Sequence, residues 1–329
     1  GRNLTRTLTA VLAAMIALAT GSAALADRIT IQVGYSPGGS YDLMARLVAD
    51  HLGKHLDGTP EILVENVPGA GSLKLARMFS EQGATDGSQL ASVSSALALA
   101  PVFEPETMEF DPGKVRYIAA MANESSYCIT TKASGIETFD QFLASDAKVG
   151  STGKSSSTYT YPAAIKAAFE ASFEVVTGFE GGEEIELAME RGDIQARCGI
   201  SETSLAQGDL MERVNVIAEL SIEHRTTIES AAFVLDRLED PARRAALELV
   251  FSSGTVHHPL IVPGGTPDEV VEMLRSAVTA VVTDPAFVAD AEARGVEVSY
   301  TPGAEVEAKI AAFAATDATI QDMARAFVQ

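Results

Sequence analysis

The chain has 329 residues, 47% of them hydrophobic, and its 24 Lys and Arg stand against 45 Asp and Glu for a formal net charge of −21. A chain of this length exceeds what one compact core usually holds, so two domains are expected. The acidity repels polyanions at long range, and no Lys/Arg patch interleaved with aromatics offsets it, which excludes nucleic acid as the expected partner.

Arg2 and Arg6 precede a charge-free run from Thr7 to Ala26 whose core, Leu8 to Ala19, is apolar. That core of about 12 residues is shorter than the roughly 20 needed to span a bilayer. Ala24-Leu25-Ala26 then puts small residues where a signal peptidase cuts. Residues 1–26 therefore read as a cleavable export signal, and losing Arg2 and Arg6 takes the charge from −21 to −23. No later segment is long and apolar enough to span a bilayer.

Ile29, Ile31 and Val33 alternate with polar residues, predicting a strand that Ser36-Pro37-Gly38-Gly39 ends. Ser40 is placed to cap a helix with Leu43, Met44, Leu47, Val48 and Leu52 on one face. A strand over 61–65 leads into Asn66-Val67-Pro68-Gly69-Ala70-Gly71 and a helix carrying Leu73, Leu75, Ala76, Met78 and Phe79. Strand, Gly-rich turn and helix have then occurred twice, the rhythm of a helix-covered parallel sheet whose turns gather at strand carboxyl ends. A third strand, 89–94, opens into Ser94-Ser95. Strands over 117–121 and 127–131 flank a crossing near 123–126, and helix 138–144, strand 148–150, the loop Ser151–Ser157 and a long helix to Phe169 follow.

A strand over 173–176, a helix over 183–191, a strand over 194–198 ending in Gly199-Ile200-Ser201, and a strand over 214–218 complete an inserted unit. The return crossing is expected near 220–226. Beyond it, 231–234, a helix over 241–252, strand-like 260–262 and a helix over 266–283 belong with the first unit. Thr266-Pro267-Asp268-Glu269 predicts a cap with proline at N1 and glutamate at N3. The C-terminal 285–329 reads as packing structure, a helix, a short strand and a helix. The result is an α/β chain of two lobes, 27–124 with 223–329 and the inserted 125–222, joined by crossings suited to a hinge.

The Ser36-Pro37-Gly38-Gly39-Ser40 loop is the strongest local signal for a ligand site. Its glycines let amides approach a small molecule, and the following helix exposes free N–H groups at its positive end. The other reading is a tight turn. Asp42 either orients the loop, accepts a ligand donor or stabilises the helix start. Gly69-Ala70-Gly71 repeats the geometry, and Ser94 and Ser95 offer hydroxyls at the next strand end. In the second lobe, Ser151-Thr152-Gly153-Lys154-Ser155-Ser156-Ser157 supplies amides, hydroxyls and one ammonium. Its Gly-Lys-Ser is not a nucleotide-binding loop, because the first glycine of that motif falls on Lys148. Gly178 to Glu184 places glycines before a helix, but its carboxylates make it less receptive to an anion. Glu202 is either a cleft acid that favours a ligand donor or a surface acid.

No cofactor or metal is implied. His51 and His55 are four apart without the H-E-x-x-H pattern, and no G-x-S-x-G or G-x-G-x-x-G occurs. Export with repeated anion-receptive turns favours binding over catalysis. The two cysteines, Cys128 and Cys198, sit on strand-like stretches; in an oxidising compartment they either form one disulfide or remain buried thiols.

Gly34-Tyr35-Ser36-Pro37-Gly38-Gly39-Ser40-Tyr41-Asp42 resembles the opening P-G-G-x-x-D signature of the TctC or Bug family, periplasmic receptors of tripartite tricarboxylate transporters. Val64-Glu65-Asn66-Val67-Pro68-Gly69-Ala70-Gly71 resembles its V-E-N-x-P-G-A-G segment. Gly178 to Glu184 sits where the family has Y-x-G-G, and Leu260 to Pro267 resembles its apolar strand followed by P-x-G-T-P. The resemblance implies a periplasmic-binding-protein type II-like fold with mixed or parallel sheets, a closing cleft and no catalysis. It implies ligand contacts at Ser36, Pro37, Gly38, Gly39, Ser40 and Asp42, and at Gly153, Lys154, Ser155, Ser156 and Ser157. Ser94, Ser95, Gly199, Ser201 and Glu202 follow as further cleft residues. The ligand class is a small organic carboxylate, with a dicarboxylate first. The implied partners are two membrane subunits, and the implied receptor is a soluble monomer in the periplasm. A receptor that signals to a sensor is the alternative. Lys154 departs from the family's uncharged G-x-G-S-S-S, and either pairs with a distal carboxylate or faces solvent.

Overall fold

The computed structural model describes residues 26–103 and 109–329. The expected leader lies outside them apart from Ala26. Among the described residues no helix is long and apolar enough to cross a membrane.

Two six-stranded sheets organise the chain. In chain order, β1 is Arg28–Val33, β2 Glu61–Asn66, β3 Gln89–Ser92 and β4 Val115–Ala122. The chain then passes to the second sheet with β5 Ser126–Thr131, β6 Lys148–Gly150, β7 Glu174–Val176, β8 Ala196–Ser201, β9 Val214–Leu220 and β10 Ala232–Phe233. It returns with β11 His257–Pro263 and β12 Thr301–Pro302. The strand orders are β12-β4-β11-β3-β1-β2 and β10-β9-β5-β8-β6-β7.

Both sheets are mixed. β1 pairs parallel with β2 and β3, while β11 runs antiparallel between β3 and β4. In the second sheet β6 is parallel to β7 and β8, while β5 runs antiparallel to β8 and β9. The antiparallel pairs involve the strands that flank the crossings, β4, β5 and β11. The stretch expected at 231–234 forms β10, parallel to β9 in the second sheet, so the first sheet resumes only at His257.

Ile29, Ile31 and Val33 of β1 are fully buried, and β11 is buried along its whole length, as a central strand covered on both faces should be. One face of the first sheet carries Met44, Leu47 and Val48 of the Ser40–Leu52 helix together with Val270, Leu274 and Val278 of the Asp268–Thr283 helix. On the other face, Leu75, Ala76 and Phe79 begin an apolar cluster that continues through Phe251 and Tyr161 to Phe142 and Phe173 beside the second sheet. The two sheets therefore share one packed core on this side.

The Asp268–Thr283 helix departs from its expected start. Pro267 is its N-cap, no side chain caps it, and Thr266 Oγ1 is buried without a partner. Cys128 and Cys198 are bonded. They sit opposite one another on β5 and β8 with Cα atoms 4.0 Å apart.

Candidate functional site

The turn after β1 meets a loop and two helix starts of the second unit. Ser36 Oγ donates to Glu184 Oε2 at 2.7 Å, and Ser36 N donates to the Glu180 carbonyl at 3.2 Å. Tyr35 Oη donates to Ser156 Oγ at 3.1 Å. Close backbone approach makes this contact possible: a Cβ on Gly153 would lie 2.7 Å from the Ala70 carbonyl carbon, and one on Gly181 would overlap Ser36 Oγ. The glycines at this seam are thus required chiefly for space. Gly38 also needs its left-handed φ of 97°.

Between the two surfaces lies a cavity of about 30 Å³, room for one or two waters. The first sheet's side supplies Tyr35, Gly39, Ser40, Tyr41 and His257. The second supplies Thr152, Ser156, Ser157, Thr158, Gly182, Arg197 and Gly199. A larger recess of about 800 Å³ on the same seam takes Gly153, Lys154 and Ser155 with Gly69, Ala70 and Phe179. Lys154 itself is exposed.

Local sequence explains the donors on each side. Gly39, in extended conformation, is the N-cap of the Ser40–Leu52 helix, and no side chain caps it. Ser40, expected as the cap, is instead the first helical residue, because the chain is still extended at Gly39. The first-turn N–H groups consequently have no capping side chain. Asp42 is buried and fully engaged inside the first unit, accepting from Gly38 N at 3.0 Å, Asn66 Nδ2 at 2.9 Å and Arg46 Nε at 3.0 Å. It holds the glycine turn in place. Across the cavity, Ser156 caps the Ser157–Phe169 helix through Thr158 N, and Gly181 begins the Gly182–Glu190 helix without a side-chain cap.

Arg197 is the one cation among the cavity-lining residues. It is 6% exposed on β8. Nη1 donates to Glu186 Oε1 at 2.9 Å, while Nε is buried without a partner. Gly182 packs on the guanidinium, since a Cβ there would lie 2.7 Å from both Nη atoms. Burial lowers the Arg197 pKa, opposed by Glu186, and burial raises that of Glu186, opposed by Arg197. Desolvation therefore dominates at both ends of the pair, and a guanidinium so placed stays cationic.

Of the residues singled out in the sequence, Gly39, Ser40, Ser156, Ser157 and Gly199 line the cavity. Ser36 and Gly38 stand at the seam, and Pro37 is exposed. Ser94 and Ser95 lie a layer behind: Ser94 Oγ caps Ala96 N, and Ser95 joins Tyr41 Oη to His257 Nδ1. Ser201 caps the short Glu202–Leu205 helix, and Glu202 accepts from Tyr127 Oη at 3.2 Å, away from the cavity. Tyr35, Tyr41, Thr158, Gly182, Arg197 and His257 were not among those candidates. An arginine between Ala196 and Cys198 in an otherwise apolar strand is itself a signal, because arginine is almost never fully buried without a partner.

The overall fold is shared with solved proteins. No family model matches the chain. A Cupriavidus necator protein described as "UPF0065 protein in gbd 5'region" is 35% identical over 134 residues, 40% of this chain and 39% of that protein. The periplasmic binding protein BugD is similar over 88% of this chain and 95% of its own, at 17% identity and a TM-score of 0.70. A TctC solute-binding protein from Polaromonas is similar over 90% and 97%, at 21% identity and a TM-score of 0.56. An R. palustris protein solved with adipate is similar over 90% and 97%, at 15% identity and a TM-score of 0.71.

The chain has the TctC/Bug-like periplasmic solute-binding protein fold. In this TctC/Bug-like fold the cavity lies between the two sheets, against the turns that follow β1 and β6.

Proposed function

We propose that this chain is a periplasmic, non-catalytic solute-binding protein that captures a small organic carboxylate, of the dicarboxylate class, for tripartite tricarboxylate transport. The observation that carries the reading is Arg197. Arg197, whose Nε is buried without a partner, lines the same cavity as the uncapped helix start at Gly39 and Ser40. Both favour an anion, and in a cavity closed to water each acts more strongly than at a surface. A guanidinium on one side and the positive end of a helix on the other suit a ligand with two carboxylates better than one. The adipate carried by a protein of the same fold supports this class.

In this reading the lobes are residues 27–124 with 223–329 and the inserted 125–222, with β10 reaching across to the second sheet. Ser36, Pro37, Gly38, Gly39, Ser40 and Asp42 form or hold one side of the site. Gly153, Lys154, Ser155, Ser156, Ser157 and Gly199 form the other, with Ser94, Ser95, Ser201 and Glu202 in support. The cavity of about 30 Å³ is too small for a four-carbon diacid, so the lobes part to load and close on the cargo at a wider separation than in this structure. The monomer then presents the closed form to two membrane subunits.

Thermal melting of the exported form with adipate, malate, glutamate, benzoate and a neutral sugar tests this. A diacid at 100 times its Kd contributes about 2.7 kcal/mol, a rise on the order of 5 °C for a chain of this size. The diacid must be recovered chemically unchanged. A panel in which only the sugar shifts the melt, or in which the diacid is converted, overturns the reading.

A further inference from the structure

A cluster adjoining the carboxylate cavity, with which it shares His257, draws attention by what it lacks. Glu124, His257 and His258 are each more than nine-tenths buried. Glu124 Oε1 and Oε2, His257 Nε2, and both ring nitrogens of His258 have no hydrogen-bond partner. Their candidate ligand atoms lie within 4.8 Å of one another. Glu124 Oε1 is 3.7 Å from His257 Nε2 and 3.5 Å from His258 Nε2.

Neighbouring residues on a strand ordinarily point to opposite faces. Here His258 adopts a left-handed φ of 51°, which brings the two imidazoles together with ring centroids 4.1 Å apart. Ser95 Oγ lies 3.2 Å from His257 Nδ1 and occupies that nitrogen, leaving Nε2 directed at Glu124. A hydrogen-bonded second nitrogen is the usual way a protein fixes the tautomer of a ligating histidine. Glu124 comes from the segment between β4 and β5, and its N–H is bonded to the Gly254 carbonyl just before β11.

Protons on the two Nε2 atoms can each be shared with Glu124, but that still leaves His258 Nδ1 without a partner. A divalent cation satisfies one atom of each side chain at once. Two imidazoles and a carboxylate at tetrahedral zinc distances stand about 3.3–3.5 Å apart, close to the 3.5 and 3.7 Å that separate Glu124 Oε1 from the two Nε2 atoms. The Glu202 and Glu297 carboxylates are near enough to act on Glu124, so the local field also favours a cation. We propose that Glu124, His257 and His258 bind a first-row divalent metal ion, Zn2+ by ligand preference, at the crossing between the two sheets. The fourth position is open, as in His2Glu zinc sites. This proposal is independent of what the neighbouring cavity binds.

The full chain, stripped with a chelator and checked for folding by circular dichroism, is incubated with Zn2+ or Co2+ and desalted. The expected result is one Zn2+ retained per chain, with intense visible Co2+ absorption typical of four or five ligands. Glu124→Gln and His258→Ala weaken Zn2+ by roughly a hundredfold. Stoichiometric Zn2+ retained equally by both folded variants overturns the site. A wild-type chain that retains no Zn2+, or gives only the pale spectrum of six-coordinate Co2+, also overturns it, and this arm decides the matter if a variant fails to fold.

Discussion

Taking a guanidinium out of water costs several kcal/mol, and at Arg197 the single partner Glu186 leaves Nε unanswered. In the proposed function a ligand carboxylate supplies the missing acceptor. Arg197→Met therefore weakens adipate, or whichever diacid the melting panel selects, by about 10- to 100-fold, the worth of one charge-assisted hydrogen bond. Titration calorimetry reads this directly; unchanged affinity removes Arg197 from the site. Glu202 offers a second test. Burial, reinforced by Glu124 and Glu297 and opposed by Tyr127 and Arg225, raises its pKa from 4.5 to about 7. A folded-state pKa above the unfolded one means that the native state holds more protons across this window. Its contribution is present below pH 4.5 and is lost as pH rises through about 7. Glu202→Gln should flatten that part of the stability–pH curve in urea titrations, and a slope identical to wild type would contradict the assignment. At this scale the sequence disclosed the glycine and serine turns, because their chemistry is local. It did not disclose Arg197 or His257, because lining a cavity depends on which strand lies opposite. The histidine pair is not legible in the sequence because adjacent strand residues ordinarily face apart, whereas a left-handed residue at the start of β11 aligns two neighbours.

Strand β8 carries the chemistry of the second unit: Arg197 and Gly199 line the cavity, and Cys198 between them is tied to β5. The disulfide closes a loop with a sequence separation of 70. In the chain-entropy model a loop of that size stabilises by about 4 kcal/mol. Cys128→Ala with Cys198→Ala should lower the urea midpoint accordingly, and a loss under about 1 kcal/mol would mean that the sheet alone fixes β8. Most individual strands were legible from alternation and glycine punctuation, β1 most clearly. The antiparallel insertion of β11 between β3 and β4 was not, since both of its faces are buried and its partners lie far away in sequence. Two residues sufficed for β10, too short for any periodic signal, and it joined the second sheet. Helix starts shifted for a simpler reason: extended backbone at Gly39 and Pro267 makes these the caps, one residue away from the Ser40 and Thr266 hydroxyls that sequence favoured.

Across the whole molecule, the proposed function requires an anion to reach its site against a field of 21 net negative charges, 23 without the expected leader. Local donors overcome that field only where water is excluded, which makes closure a condition of binding rather than a consequence of it. The seam allows closure because glycine faces glycine: a Cβ on Gly39 would stop 3.9 Å from Gly182 N. Alanine at Gly39 thus makes an ordinary contact, while phenylalanine must push the second unit away. The φ of −76° at Gly39 is open to any residue, so neither change strains the turn itself. Gly39→Phe should therefore remain folded, bind the selected diacid at least about tenfold more weakly, and scatter X-rays as a more extended particle with or without it. Gly39→Ala should match the wild type at saturation, in affinity and in radius of gyration. If the phenylalanine variant closes and binds as the wild type does, the glycine seam does not govern closure, and the cavity between the sheets is not where the cargo sits.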